Sequence, residues 1–216
     1  MAALPGDLPE TAHLELESVK GFLSKVEKEY QKCLDSRDPE GSPSYIPQLS
    51  GLLFGQSDDN EINISAVEYV PNVRGSDPKV INEFNEKIAT QFGNEYRNPQ
   101  RGFWCDDKGV FLAIKQQSAM GLELLGSMHS HPNWHEIGPP LERRQKISEN
   151  PTRMDEYLFR QASWPVNVIF YSRRTDGVMV HRVAGWRLQS EQFRKLDIRI
   201  SREICDEFNV ELPPSQ

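Results

Sequence analysis

The chain has little cysteine, no long apolar run and no internal repeat. Three of its 216 residues are cysteine, Cys33, Cys105 and Cys205, and they lie far apart. An odd, scattered set builds no disulfide framework and no paired-cysteine zinc site, and it points to a reducing, cytoplasmic setting. No apolar stretch approaches the roughly 20 residues needed to cross a bilayer, so no membrane partner is expected. Met1 to Glu10 lacks a basic segment followed by an apolar one, so no secretory signal is expected. Basic charge is short as well. Lys and Arg number 25 against 32 Asp and Glu, a net charge of −7, the wrong sign for a nucleic-acid surface. The deficit lies in residues 1–100, with 9 basic and 17 acidic side chains, while residues 101–216 carry 16 and 15. An ordinary solvated surface gives such a pattern. The sharper reading is an acidic half that helps orient a basic protein partner.

What is present suits one domain with a real core. Residues 1–12, with Pro5, Gly6 and Pro9, read as a flexible arm, residues 13–189 as the domain, and residues 190–216 as an extension packed on it or continuing it. Val19, Phe22, Leu23, Val26, Tyr30 and Cys33 recur at helical spacing and predict a helix over Ser18–Leu34, capped by Ser18. Leu49–Phe54 and Ile62–Asn72 read as strands, and Asp77 starts a second helix. Thr90–Gly102 is polar, irregular and longer than a usual connection, which marks a mobile loop or a binding insert. Phe103–Asp106 reads as a strand, Val110–Ala119 as a helix and Leu122–Met128 as a strand. Met154–Ala162 reads as a helix, and Val166–Tyr171 and Val178–Leu188 as a hairpin around Asp176-Gly177. Strands in runs with helices between them predict an α+β fold.

The chemistry concentrates in Leu122–Asp155. His129 and His131 are one residue apart after an apolar run, so a strand aims both imidazoles to one side. Neutral imidazole is the commonest metal ligand. Downstream, Asp155 sits on the first turn of the Met154–Ala162 helix, three residues after Thr152, its N-cap. Two imidazoles and one carboxylate leave a tetrahedral Zn²⁺ site open at its fourth position, the catalytic form. Trp134 follows the histidines and reads equally as cleft lining or as core.

His129-Ser130-His131-Pro132 followed by Thr152-x-x-Asp155 resembles the JAMM motif of the MPN/JAB metalloprotease family. Gly51–Gly55 and Val70-Pro71-Asn72 resemble that family's first two core strands, and Trp164–Ser172 the strand after its metal-bearing helix. The resemblance covers roughly residues 14–188. It implies a curved mixed β-sheet flanked by helices. It also implies a zinc isopeptidase that cuts ubiquitin or ubiquitin-like proteins after their C-terminal tails, and the plain chain is similar to bacterial members. Family spacing places the third ligand at Glu142, with Pro139 in the hydroxyl position. The hydroxyl at Thr152 and the distance to Pro165 favour Asp155 instead. The resemblance gives Thr152 the role of steadying a tetrahedral intermediate. The family's general-base glutamate falls at Gln48, whose amide cannot accept a proton. The chain is then expected to be an inactivated form of the enzyme. Two alternatives are a non-catalytic scaffold of the same type and a small-molecule hydrolase with a closed pocket. The peptide substrate is expected to lie along a sheet edge, between Thr90–Gly102 and Asn133–Pro151.

Overall fold

The computed structural model describes residues 9–189 and 191–212, and every statement below concerns these. Most of the arm expected over residues 1–12 lies outside them, and the first strand, β1, already begins at Thr11 and runs to Leu14.

Helix α1 (Leu16–Asp35) follows. Val19, Phe22, Leu23, Val26, Tyr30 and Cys33 form its buried face, each large apolar side chain contributing about 1.5–3 kcal/mol by leaving water. The cap position is Glu15, with no side-chain bond, so Ser18 is not the N-cap. Its hydroxyl instead donates to the Ser65 carbonyl at 2.9 Å and ties the helix to the sheet.

Strands β2 (Ser50–Ser57) and β3 (Glu61–Glu68) form a hairpin. Helix α2 (Pro78–Glu83), capped by the Asp77 carboxylate, runs through one π turn into α3 (Ala89–Phe92). Residues 103–106, expected as a strand, make one bridge, Asn72 with Cys105. Helix α4 (Asp107–Ser118) leads to β4 (Glu123–Pro132), the short α5 (Trp134–Ile137) and α6 (Arg153–Ala162). Strands β5 (Val166–Thr175), β6 (Val178–Gln189) and β7 (Gln192–Ile200), helix α7 (Arg202–Phe208) and a two-residue strand, β8 (Val210–Glu211), complete the chain.

The strands run in the order β5-β4-β2-β3-β1-β7-β6, and β6 pairs back onto β5. This closes a mixed seven-stranded β-barrel, with β8 added alongside β6. The expected open, curved MPN/JAB-like sheet is therefore wrong. The reason lies in β7. It pairs antiparallel with β6 and parallel with β1, Thr11 opposite Asp197. Without residues 192–200, β1 and β6 would be two edges of an open sheet. Closure pairs each of the seven strands on both sides over at least part of its length.

The main core joins barrel residues such as Leu53, Ile64, Met128, Val168, Phe170 and Ile198 to the buried faces of α1 and α7. Phe22 of α1 meets Phe170 of β5 at 5.6 Å between centroids. No helix among the described residues is long and apolar enough to cross a membrane.

Candidate metal centre

Strand β4 lies between β2 and β5, and its pairing places the two histidines. Ser50 is opposite His129, the Ser130 N–H donates to the Leu49 carbonyl at 3.1 Å, and His131 is opposite Tyr171 of β5. Alternation along β4 brings both imidazoles to one side, with Nε2 atoms 3.0 Å apart. Helix α6 brings up Asp155 at its first turn. Its Oδ1 is 3.4 Å from His129 Nε2 and its Oδ2 is 3.3 Å from His131 Nε2.

These three spacings test whether a cation fits. Donors about 2.0–2.1 Å from a tetrahedral ion stand roughly 3.3–3.4 Å from one another. The two imidazole–carboxylate spacings fall in that range, each through a different Asp155 oxygen, and the imidazole–imidazole spacing is a few tenths of an ångström shorter. With one ligand atom taken from each residue, all three lie within 4.8 Å of one another. Among the described residues, this is the one His/Cys/Asp/Glu group so gathered. One of the imidazoles is also oriented from behind by a hydrogen bond. His131 Nδ1 lies 2.7 Å from the Ser148 carbonyl, which accepts a hydrogen bond from Nδ1–H and leaves Nε2 free to ligate.

Asp155 is held by a capping box. Its Oδ2 accepts from the Thr152 N–H at 2.6 Å, and its own N–H donates to the Thr152 hydroxyl oxygen at 3.2 Å. Thr152 is thus the helix cap, and it also lines the cavity beside the site. Glu142 is elsewhere. Its carboxylate pairs with Arg101 and accepts from Trp134 Nε1 at 3.3 Å.

Burial disfavours charge on Asp155, but the adjacent imidazoles outweigh it and hold its pKa well below the ordinary carboxylate range. Burial likewise works against a charged His131. The Asp155 carboxylate and the Ser148 carbonyl outweigh it, and its pKa is raised. The lowered Asp155 stabilises the fold above about pH 3.9, and this is lost as pH falls through the folded value. The raised His131 stabilises it below about pH 6.5, and this is lost as pH rises through the folded value. The metal-free protein should therefore melt at a higher temperature near pH 6 than near pH 8 (about one unit either side of neutrality), as calorimetry in chelator will read. The difference should shrink in Asp155→Asn. Equal melting temperatures at both pH values would contradict this account of the ion pair.

The site opens into a cavity of about 550 Å³. Tyr96, Gln100, Arg101 and Gly102 line it from one long connection, and Trp134 and Ile147 from the other. Leu52, Val110, Leu158 and Trp164 supply apolar wall. Arg101 stands 5.2 Å from the Tyr96 ring and 5.0 Å from the Trp134 ring, and its pairing with Glu142 joins the two connections. Trp134 is 5% exposed, so it is both core and lining. Tyr96 and Arg101 were not singled out from the sequence, where the length of Thr90–Gly102 was the available signal.

Gln48 also lines this cavity. Its Oε1 accepts from Asn72 Nδ2 at 2.6 Å, while its Nε2 is buried with no hydrogen-bond partner among the described residues.

No protein-family model matches this chain, and no curated protein matches it. Among solved structures, it is similar to the solution structure of protein DSY2949 from Desulfitobacterium hafniense, at 14% identity and a TM-score of 0.47, over 88% of this chain and 93% of that one. With no family match and a closed barrel, the MPN/JAB assignment drawn from the His-Ser-His-Pro and Thr-x-x-Asp motifs is withdrawn.

Proposed function

We propose that this chain carries a zinc-dependent hydrolase centre for amide bonds in extended peptide segments, halted at proton transfer by Gln48. The observation that carries the proposal is the gathering of His129, His131 and Asp155, whose ligand atoms, one from each residue, lie within 4.8 Å of one another, as three ligands of one zinc ion require. A zinc ion held there supplies Lewis acidity, lowering the pKa of a water to about 7 and polarising a carbonyl.

The chain's own residues supply the rest. Ser148 orients His131. The Thr152 hydroxyl has a proton to offer a developing oxyanion. Tyr96, Trp134 and Trp164 wall the cavity and exclude water. No residue plainly takes the proton. Beyond Asp155, the acidic side chain among the described lining residues is Asp107, exposed on the first turn of α4. Gln48 has the shape of a glutamate and lacks its basicity. The substrate class is a flexible tail, such as the C-terminus of a ubiquitin-like protein, entering between the two long connections. Three free cysteines support a cytoplasmic setting.

The test is Gln48→Glu in zinc buffer, assayed on a ubiquitin-like fusion and on a peptide library. General-base catalysis contributes about 10²–10⁴-fold, so cleavage should appear in the variant at that margin over the parent, and 1,10-phenanthroline should stop it. A variant that takes up zinc and binds peptide yet never cuts would favour a partner-binding scaffold instead.

A further inference from the structure

The orientation of the Gln48 amide can be deduced from its neighbours. Asn72 Oδ1 accepts from two backbone N–H groups, Arg74 at 3.0 Å and Trp104 at 3.1 Å. Both donors are fixed by the chain. Residues 71–73 and 104–106 are laced together, Val73 N–H to the Trp104 carbonyl at 2.9 Å and Asp106 N–H to the Pro71 carbonyl at 3.0 Å. A carbonyl oxygen must therefore sit at that end of Asn72, and its NH₂ group must face position 48. That NH₂ needs an acceptor, so Gln48 turns its own oxygen toward Asn72. The Gln48 NH₂ is left pointing elsewhere, with its nitrogen buried and unpartnered. A buried donor without an acceptor costs roughly 1–3 kcal/mol, so a ligand that brings an acceptor is favoured once a small turn of the Gln48 amide exposes its nitrogen to the cavity the residue lines. Leu49, its neighbour, is bonded to Ser130 between the two histidines, which keeps position 48 beside the metal centre.

We propose that Asn72 is a positioning residue that makes Gln48 a hydrogen-bond donor, so that the site as it stands binds a free carboxylate, the C-terminus of a peptide. This rests on the reading of His129, His131 and Asp155 as a zinc centre. The carboxylate is met by the cation's charge and by the Gln48 donor. A peptide ending in an amide brings no anion and binds less well. The same logic describes a glutamate at position 48. Asn72 would hold one of its oxygens and leave the other as an acceptor, which repels a carboxylate.

The experiment uses the full chain, zinc-loaded, with N-acetyl-diglycine and its C-terminal amide as probes in calorimetry. The acid should bind at least about tenfold more tightly than the amide, the size expected of one hydrogen bond to a charged group. Gln48→Met, which leaves the backbone bonds of Asn72 intact, should erase that preference without changing zinc stoichiometry. Asn72→Ala should weaken it and should alter the Gln48 side-chain NH₂ resonances in ¹⁵N spectra, a signal that a purely structural role of Asn72 would leave in place. In the parent protein those resonances should shift when the acid is added. If Asn72→Ala does not fold, Gln48→Met decides alone. Equal binding of acid and amide by the zinc-loaded parent, or an undiminished preference in Gln48→Met, overturns the inference while leaving the zinc centre standing. A parent that takes up no zinc overturns both.

Discussion

Asp155→Ala should abolish the zinc binding proposed for His129, His131 and Asp155. Structural zinc sites bind with roughly 10–16 kcal/mol over four ligands, so one of three protein ligands carries on the order of 3 kcal/mol. The affinity should fall at least about 100-fold. Among the described residues no other carboxylate is gathered with the two histidines, and Glu142 is engaged by Arg101 and Trp134. The same change opens the capping box with Thr152, so the metal-free variant should also lose about 1 kcal/mol of stability. Zinc uptake followed by a colorimetric chelator separates the effects, and Glu142→Ala is the control. That control should keep its zinc. If it loses zinc while Asp155→Ala retains it, the ligand set is wrong.

Gly126→Ala should damage the barrel itself. Gly126 faces Val166 where β4 and β5 run parallel. A Cβ placed there would stand 1.7 Å from the Val166 carbonyl oxygen and 2.7 Å from its carbon. These are backbone atoms, so no rotamer relieves the clash and the two strands must part. Overpacking in well-packed cores costs about 1–3 kcal/mol and occasionally more, and a backbone collision belongs at the top of that range. For a domain of this size, about 3 kcal/mol lowers the melting temperature by roughly 6–12 °C. Because β4 carries His129 and β5 leads away from α6, zinc affinity should fall too. A melting temperature within about 2 °C of the parent would show that the strands separate more easily than this packing implies.

How much of this was legible in the sequence depends on distance along the chain. The grouping of His129, His131 and Asp155 follows from two short patterns, alternation on a strand and a cap three residues before a carboxylate. Both operate within one element, and one crossover from β4 to β5 brings the elements together. Helix α1 was legible for the same reason, since its buried residues recur at its own period. Its cap was not, because Ser18 finds a better partner in the Ser65 carbonyl, far away in sequence. Barrel closure was illegible because it depends on pairing Thr11 with Asp197, and nothing local to either residue announces the other. Position 48 was read by where the resemblance puts a glutamate and by the shape and charge of the glutamine found there. What governs it is Asn72, whose orientation is set in turn by two backbone groups at residues 74 and 104.

The pairing of β1 on both sides, with β3 and with β7, also dictates an order of events in folding. β1 is made first, yet one of its edges has no partner until residues 192–200 have been synthesised. Helix α1 and the β2–β3 hairpin can form early from local contacts, while the ring must wait for its longest loop to close. Contacts of this sequence separation slow folding and leave a strand edge open to other chains. The vulnerable interval of this fold therefore runs from the making of residues 11–14 to that of residues 192–200, at the seam between β1 and β7.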